Sequence, residues 1–177
     1  MSMPPILSTA RLVLRPFGPQ HLSDRYVSWL NDPETVRYSE QRHRRHTVET
    51  CQVWTAAMVK GPHLLWAIEE TGTGLGHVGN LAVLIDPQNN LADMSILLGE
   101  ARGCGLGREA WCAALAWLLG PRRVRKVTAG TMSTNLPMLM LMHRAGMEKD
   151  GVRRRHYLLN GQEVDIIFMA AFPNSNR

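Results

Sequence analysis

The chain has 177 residues, 45% of them hydrophobic, and a formal net charge of +5 at neutral pH. This length predicts a single domain over residues 1–177 that buries a core without help from disulfides or metals. No apolar run approaches the roughly 18 residues of a membrane span, and the first residues lack a signal-peptide pattern, so we expect a cytoplasmic protein with no membrane partner.

The first third of the chain predicts a strand followed by two helices. Apolar and polar side chains alternate over residues 9–17, which is typical of a half-buried strand. Apolar residues then recur at helical spacing over residues 19–30, and residues 33–38 predict a further helical turn. Thr47 is the predicted N-cap of a second helix that runs to about residue 59.

The middle of the chain predicts a sheet that leads into a helix. Residues 63–70, 77–85 and 91–98 have strand periodicity and are separated by turn residues, which predicts an antiparallel meander. A helix is predicted over residues 107–119, and the strand after it, residues 124–131, should run parallel to its predecessor because a helix connects them.

The last part predicts one helix and a hairpin. Asn135 or Thr134 caps a helix that Gly146 ends, and residues 151–159 and 163–171 are strands joined by an Asn-Gly turn. The predicted order is therefore β-α-α-β-β-β-α-β-α-β-β. It describes an α/β (α+β) fold in which helices flank a mixed, mostly antiparallel sheet.

A glycine-rich loop precedes the predicted helix at residues 107–119. Arg102, Gly105 and Gly107 form the pattern R-x-x-G-x-G. Glycines let backbone N–H groups approach an anion, and the first turn of a helix has unpaired N–H groups, so this loop is a candidate phosphate site. It lacks the lysine and Ser/Thr of a P-loop and the acidic residue of a dinucleotide-binding fingerprint. An ordinary strand-to-helix turn is the alternative.

The loop resembles the pyrophosphate-binding motif of the GNAT superfamily of N-acetyltransferases, and the predicted order of elements is similar to the complete GNAT fold. The sequences W-L-N-D-P-E at residues 29–34 and R-Y-S-E ending at Glu40 resemble the subgroup related to ribosomal-protein alanine and nucleotide-sugar amine acetyltransferases. The resemblance implies transfer of an acetyl group from acetyl-coenzyme A, a co-substrate, to a primary amine. That amine belongs to a protein N-terminus, an amino sugar or another small molecule.

The resemblance also implies where the coenzyme lies. Backbone N–H groups at a splay or bulge in the strand would hold the pantetheine arm and the thioester carbonyl. Asn135 would bind the pantetheine arm or stabilise the local backbone. The implied coenzyme-binding residues are Ile96, Leu97, Leu98, Arg102, Gly103, Cys104, Gly105, Leu106, Gly107, Arg108 and Asn135.

Two acidic residues are candidate bases for deprotonating the amine. Asp93 stands where relatives carry Glu at the start of the strand, and a half-buried carboxylate with a raised pKa can remove a proton directly or through water. Its alternative role is to cap the bend at residues 89–90. Glu100 is the second candidate, with a surface role as its alternative.

Three residues are expected near the acceptor: Trp29, Tyr38 and Glu40, with core packing as the alternative for Trp29. Where relatives carry a tyrosine that protonates the leaving thiolate this chain has Met142, and the alternative Ser or Ala position is Met138. No inherited general acid is therefore visible.

Two other functions stay open: a coenzyme-A-binding regulator without catalysis, and a nucleic-acid-associated basic protein. Basic segments at residues 42–46 and 122–126 favour the second, but no nucleic-acid-binding motif accompanies them. Cys51, Cys104 and Cys112 fit neither a disulfide framework nor a zinc spacing, so they predict reduced thiols and no metal. We expect a monomer or a homodimer.

Overall fold

A computed structural model describes residues 3–173. Within these residues one eight-stranded sheet is combined with five α-helices. The strands are β1 (Leu7–Ser8), β2 (Leu12–Pro16), β3 (Leu64–Glu70), β4 (Gly76–Asp86), β5 (Leu91–Leu98), β6 (Lys126–Met132), β7 (Glu148–Leu159) and β8 (Gln162–Ala171). The helices are α1 (Asp24–Asn31), α2 (Pro33–Val36), α3 (Val48–Lys60), α4 (Leu106–Leu119) and α5 (Leu136–Arg144).

The strand order across the sheet is β1-β2-β3-β4-β5-β6-β8-β7. Neighbouring strands are antiparallel except β5 and β6, which α4 connects as a crossover and which therefore run parallel. The hairpin of β7 and β8 turns at Asn160 and Gly161, whose φ angles of 52° and 79° suit a two-residue turn. The predicted fold class, a mixed and mostly antiparallel sheet flanked by helices, is confirmed.

The main differences from the predicted elements lie near the N-terminus. Strand β1 was not predicted, because two residues carry no periodicity; the Thr9 N–H and hydroxyl both bond the Leu12 carbonyl and fold β1 back on β2. The helix predicted over residues 19–30 is broken into a 3-10 turn at Pro19–His21 and α1. Helix α1 begins after Ser23, whose hydroxyl accepts an N–H of the first turn, so a local cap decides the boundary.

Three predicted caps lie where the sequence places them. The Thr47 hydroxyl accepts an N–H at the start of α3, and the Asn135 side chain does the same for α5. Gly146 follows α5 with a φ of 81°, a left-handed conformation that glycine adopts without strain.

The sheet separates two apolar layers, and β5 contributes to both. Ile96 and Leu98 pack against the main core, which also contains residues of α4 and α5. Leu97 points to the opposite face, where it packs against a second cluster formed mainly by α1 and α3, including Tyr26 and Trp29. A strand with apolar residues on both faces is fixed in position from two sides.

Residues 3–173 contain no helix that is both long and apolar enough to cross a membrane. The same residues contain no group of His, Cys, Asp and Glu side chains that could hold a metal ion. Cys51, Cys104 and Cys112 are free thiols.

Candidate functional site

The cleft of this protein opens where the two parallel strands separate. Strand β5 pairs with β6 only from Leu91 to Asp93, opposite Lys126–Thr128, while its pairing with β4 continues to Leu98. Beyond Asp93, one backbone edge of β5 therefore has no strand partner in the described part of the chain. A cleft of about 2080 Å³ lies along this edge, and Ser95 to Leu98 form part of its wall.

The glycine loop closes one end of the cleft. Gly103 and Gly105 have φ angles of 84° and 82°, which a residue with a side chain adopts only under strain. Gly105 is the N-cap of α4, and the N–H groups of Leu106, Gly107 and Arg108 have no acceptor within residues 3–173. Unpaired N–H groups at the start of a 14-residue helix favour an anion such as a phosphate.

Helix α4 approaches the strand closely enough to hold this geometry. A side chain on Gly107 would place its Cβ 2.9 Å from Leu98 Cδ1, which is too close for an unshifted contact. Leu106 is buried, and Arg108 is exposed toward the cleft. The loop can therefore supply backbone donors on its open side while its other side stays packed.

A polar tether between distant parts of the chain holds the loop, and the sequence did not indicate it. Arg11 Nη1 donates to the Cys104 carbonyl at 3.0 Å, and Arg11 Nη2 lies 2.7 Å from Glu109 Oε2. Glu109 Oε1 also accepts the Thr9 hydroxyl at 2.6 Å. These contacts join residues about a hundred positions apart, and no local pattern predicts such a pairing.

Arg102, on the other side of the loop, lies 3.6 Å from Asp32.

Asp93 lies at the point where β5 and β6 separate. Its carboxylate accepts the Thr128 hydroxyl at 2.6 Å, and the residue is exposed and lines the cleft. Partial burial raises the pKa of Asp93, against the smaller lowering effect of the Thr128 hydrogen bond. The alternative role as a cap for residues 89–90 does not match the structure, because Asp86 accepts the N–H groups of that turn.

Glu100 and Trp29 lie together behind the cleft wall. Both Glu100 oxygens accept from the Arg25 guanidinium, and the Trp29 indole donates to Oε1 at 3.3 Å. The Arg25 hydrogen bond is the main cause that lowers the pKa of Glu100, so this carboxylate is a weaker base than a free one. Trp29 is buried against Gly99. Neither side chain lines the cleft. Trp29 is buried, as its core-packing alternative predicts, and Glu100 is a partly exposed ion-pair partner of Arg25.

Tyr38 and Glu40 both line the cleft. Tyr38 packs beside Met132 and Ile166 on the hairpin side of the sheet. Glu40 is not a free carboxylate, because it lies 2.7 Å from the Arg42 guanidinium. Tyr157 also lines the cleft, whereas His143, near the end of α5, is exposed and does not line it.

Asn135 stands in the cleft wall with both ends of its side chain occupied. Its Oδ1 accepts the Met138 N–H at 3.3 Å, and its Nδ2 donates to the Thr131 hydroxyl at 2.9 Å. Of the two roles that the sequence left open, these bonds correspond to support of the local backbone. Met138 lines the cleft, but Met142 is fully buried in the core.

Asn80 is a further polar residue in the cleft, and the sequence did not indicate it. Asn80, on β4, is 6% exposed and lines the cleft next to Leu97, with which it pairs. Its Oδ1 lies 2.9 Å from His77 Nε2, and its Nδ2 has no hydrogen-bond partner among residues 3–173. Asparagine in a strand has no sequence signature, so only the fold reveals it.

The sequence model of the acetyltransferase (GNAT) domain matches residues 11–148. No curated protein matches the sequence significantly.

Solved structures with the same fold cover nearly the whole chain. A spermidine N-acetyltransferase from Vibrio cholerae, in complex with coenzyme A and spermine, has a TM-score of 0.82 at 16% identity and covers 93% of this chain and 97% of its own. RimL, a ribosomal-protein α-N-acetyltransferase in complex with coenzyme A, has a TM-score of 0.81 at 15% identity, with 95% and 98% covered. A GNAT-family acetyltransferase from Bacillus anthracis has a TM-score of 0.80 at 15% identity, again with 95% and 98% covered.

Proposed function

Because the chain belongs to the GNAT acetyltransferase family, as the match over residues 11–148 shows, we propose that it transfers the acetyl group of acetyl-coenzyme A to a primary amine in the cleft between β5 and β6. The observation that carries this proposal is the early end of the β5–β6 pairing at Asp93, with the glycine loop at the far end of the exposed edge. The coenzyme-A complexes of RimL and of the spermidine acetyltransferase support it.

The coenzyme is held mainly by backbone. The pyrophosphate takes the unpaired N–H groups at the start of α4, and Arg102 and Arg108 add positive charge. The pantetheine arm lies along Ile96 to Leu98, whose free edge offers N–H and C=O groups at the spacing of a strand. A backbone N–H aimed at the thioester carbonyl would stabilise the negative charge that develops on its oxygen.

The amine must lose a proton before it attacks. Asp93 is the proposed base, because its raised pKa makes its carboxylate a better proton acceptor than an ordinary aspartate. The neutral amine then forms the C–N bond as the C–S bond breaks. The remaining ammonium proton leaves to solvent or to the thiolate.

No dedicated acid is assigned. Thiols have a pKa of about 8.5, so the coenzyme A thiolate leaves near neutral pH and takes its proton from solvent or from the attacking amine. Neither Met138 nor Met142 has an ionisable proton, and Met142 is also buried in the core, so neither side chain can act as a general acid. Tyr38 and Glu40 are proposed as walls of the acceptor site, with Tyr157 beside them.

The domain organisation, oligomeric state and location of the protein are also proposed. We propose that the chain acts as one N-acetyltransferase domain, because a single sheet runs through the described residues. A cytoplasmic monomer or homodimer is the proposed form, in keeping with three reduced thiols and the composition.

A thermal-shift titration tests the class of ligand. Acetyl-coenzyme A at low micromolar concentration should raise the unfolding temperature, whereas heparin or mixed-sequence DNA at equal phosphate concentration should raise it far less. Equal stabilisation by every polyanion would instead support a nucleic-acid-associated protein. Stabilisation by acetyl-coenzyme A without turnover on any amine would support the regulator.

A further inference from the structure

Arg153, on β7, holds a positive charge against an aromatic wall of the cleft. Its side chain is exposed, and the guanidinium carbon lies 5.0 Å from the centre of the Phe168 ring. Both residues line the cleft. Within residues 3–173, no carboxylate forms a salt bridge with Arg153. The ring contact restrains the guanidinium, so its N–H donors lose little further freedom when they bind an anion.

The Phe168 ring leans over β6 because Gly130 leaves room for it. A side chain on Gly130 would place its Cβ 2.9 Å from Phe168 Cε1, so the ring covers the position that such a side chain would take. Gly130 pairs with Phe168, is itself exposed and lines the cleft. The ring that carries the Arg153 guanidinium is therefore turned toward the gap between β5 and β6.

This aromatic wall lies on the same face of the sheet as Asp93. Asp93 pairs with Thr128 and accepts its hydroxyl, and Gly130 is two residues further along β6, so its Cα direction is the same as that of Thr128. Phe168 is two strands and two residues away from Asp93, which corresponds to a separation on the order of 10 Å. A ligand of moderate length can therefore reach both.

A bulge in β7 aims Arg153 at this face. Arg153 pairs with Ile166, which is two residues before Phe168 on β8 and so shares its face. Tyr157, four residues after Arg153, pairs only two residues further along β8, so the bulge turns both side chains toward the cleft, which both line. Arg154, inside the bulge, is also exposed but does not line the cleft.

Further positive charge lies beside the hairpin. Arg44 and Arg45 are exposed, line the cleft and have no salt-bridge partner in the described part of the chain. Their segment is tied to the hairpin, because Arg42 Nη2 donates to the Leu158 carbonyl at 3.2 Å. The neighbouring acid, Glu40, is paired with Arg42. This part of the cleft therefore attracts negative charge and repels a polycation.

We propose that Arg153 binds an anionic group, a carboxylate or a phosphate, on the acceptor amine, and that Arg44 and Arg45 add positive charge around it. The acceptor then carries its negative charge on the order of 10 Å from the amine that Asp93 deprotonates. A guanidinium binds either anion through paired N–H donors. This inference rests on the proposed acetyl transfer and assigns an anion-binding subsite in the same cleft.

Matched pairs of amines test the subsite. Ala-Ala-Glu amide is compared with Ala-Ala-Gln amide, and glucosamine 6-phosphate with glucosamine, so that the members of each pair differ in the anion. Both kcat/KM and, by calorimetry with coenzyme A present, the Kd of each amine are measured. The wild type should prefer the anionic member of at least one pair about tenfold in both quantities. The pair that shows the preference tells a carboxylate from a phosphate.

Arg153→Gln removes the charge and should bring the ratio between the two members to within about twofold of one. The change should appear mainly in KM, because the subsite is distant from the reacting atoms. Arg154→Gln is the matched control: it removes the same charge one residue away, outside the cleft, and should keep the preference. Unchanged unfolding temperatures would show that both variants are folded.

Equal loss of the preference in Arg153→Gln and Arg154→Gln would overturn the proposal, because overall charge and not a contact would then attract the acceptor. A wild type that prefers neither anion, or that uses spermidine best, would also overturn it. An Arg153-dependent binding preference without turnover on any amine would support the subsite and count against the proposed acetyl transfer.

Discussion

Asp93 combines two properties that a general base needs: access to the cleft and a pKa raised by burial. The wild-type kcat should therefore rise with pH as the carboxylate ionises, at a pH above the ordinary aspartate value of about 3.9. In Asp93→Asn, turnover should fall most below the pKa of the acceptor amine and recover as the amine loses its proton without help. The measurement is kcat against pH for both proteins with one amine.

The stability of Asp93→Asn provides the control. Because burial raises the pKa of Asp93, its ionised form costs stability at pH values above the unfolded pKa, and a neutral side chain removes that cost. The unfolding temperature of the variant at pH 7 should therefore not fall. A turnover loss of the same size at every pH, or a clear loss of stability, would assign Asp93 a structural role.

Gly105 is the loop position at which an added side chain should weaken acetyl-coenzyme A binding most. Its φ of 82° is strained for any other residue, and a Val there would draw the backbone away from the bound phosphates. Gly105→Val should weaken acetyl-coenzyme A binding at least tenfold, about 1.4 kcal/mol, measured by calorimetric titration. Gly151→Ala, at a glycine with open space and no positive φ, is the matched control. Unchanged affinity in folded Gly105→Val would remove the loop from the coenzyme site.

At this scale, sequence reasoning reached residues whose role depends on type and spacing. The loop glycines and the Asn135 cap could be predicted, because their backbone requirements are local. The choice between Asp93 and Glu100 could not, since it depends on Arg25, which lies 75 residues from Glu100 in the chain. Asn80 was missed because its burial and its unpaired nitrogen exist only in the folded chain.

The glycine loop and α4 form one element with a long-range tether. The Arg11–Glu109 pair ties the first turn of α4 to the start of β2, and Arg11 also holds the Cys104 carbonyl. Glu109→Gln should weaken acetyl-coenzyme A binding several-fold and lower the unfolding temperature, because the Arg11 guanidinium loses its charged partner. Glu163→Gln, which breaks a more exposed pair with Arg155, should change neither.

The pH dependence of the tether has a definite sign. Burial alone would raise the pKa of Glu109, but the hydrogen bonds from Thr9 and Arg11 outweigh it and the pKa is lowered. The tether therefore stabilises the fold above the ordinary glutamate pKa of about 4.3, and its contribution is lost as the pH falls through the lower folded value. The difference between wild type and Glu109→Gln should disappear in that acidic range. A difference that persists there would mean that the charge of Glu109 is not what holds the loop.

The bounds of elements with strong hydrophobic periodicity were predicted to within a few residues. Elements with weak periodicity were either missed or given the wrong bounds. Helix α4 and strands β3 to β5 follow from their own patterns. Strand β1 is too short to leave a pattern, and α1 starts late because Ser23 caps it. The separation of β5 from β6 was implied only by resemblance, because strand pairing is a relation between segments and not a property of either one.

At the scale of the whole molecule, one feature organises function: a sheet whose two parallel strands share only three residue pairs. The meander and the final hairpin extend the sheet on either side of this gap, while α1 and α3 cover one face and α4 and α5 the other. In the proposed function, coenzyme and acceptor approach from different sides and meet at the exposed edge of β5. The fold order was predictable from the sequence, whereas the meeting of Asp93, Tyr38 and Asn80 in one cleft required the folded chain.

Amine-dependent acetyl transfer tests the central claim most directly. The protein is incubated with acetyl-coenzyme A and a panel of amino sugars, peptides, aminoglycosides and polyamines, and both the free thiol and the acetylated product are quantified by mass spectrometry. We predict one acetylated product molecule per thiol released with at least one amine, and at least tenfold slower transfer by Gly105→Val at limiting acetyl-coenzyme A. Tight binding of acetyl-coenzyme A with no amine-dependent product anywhere in the panel would contradict the claim and identify a non-catalytic binding protein.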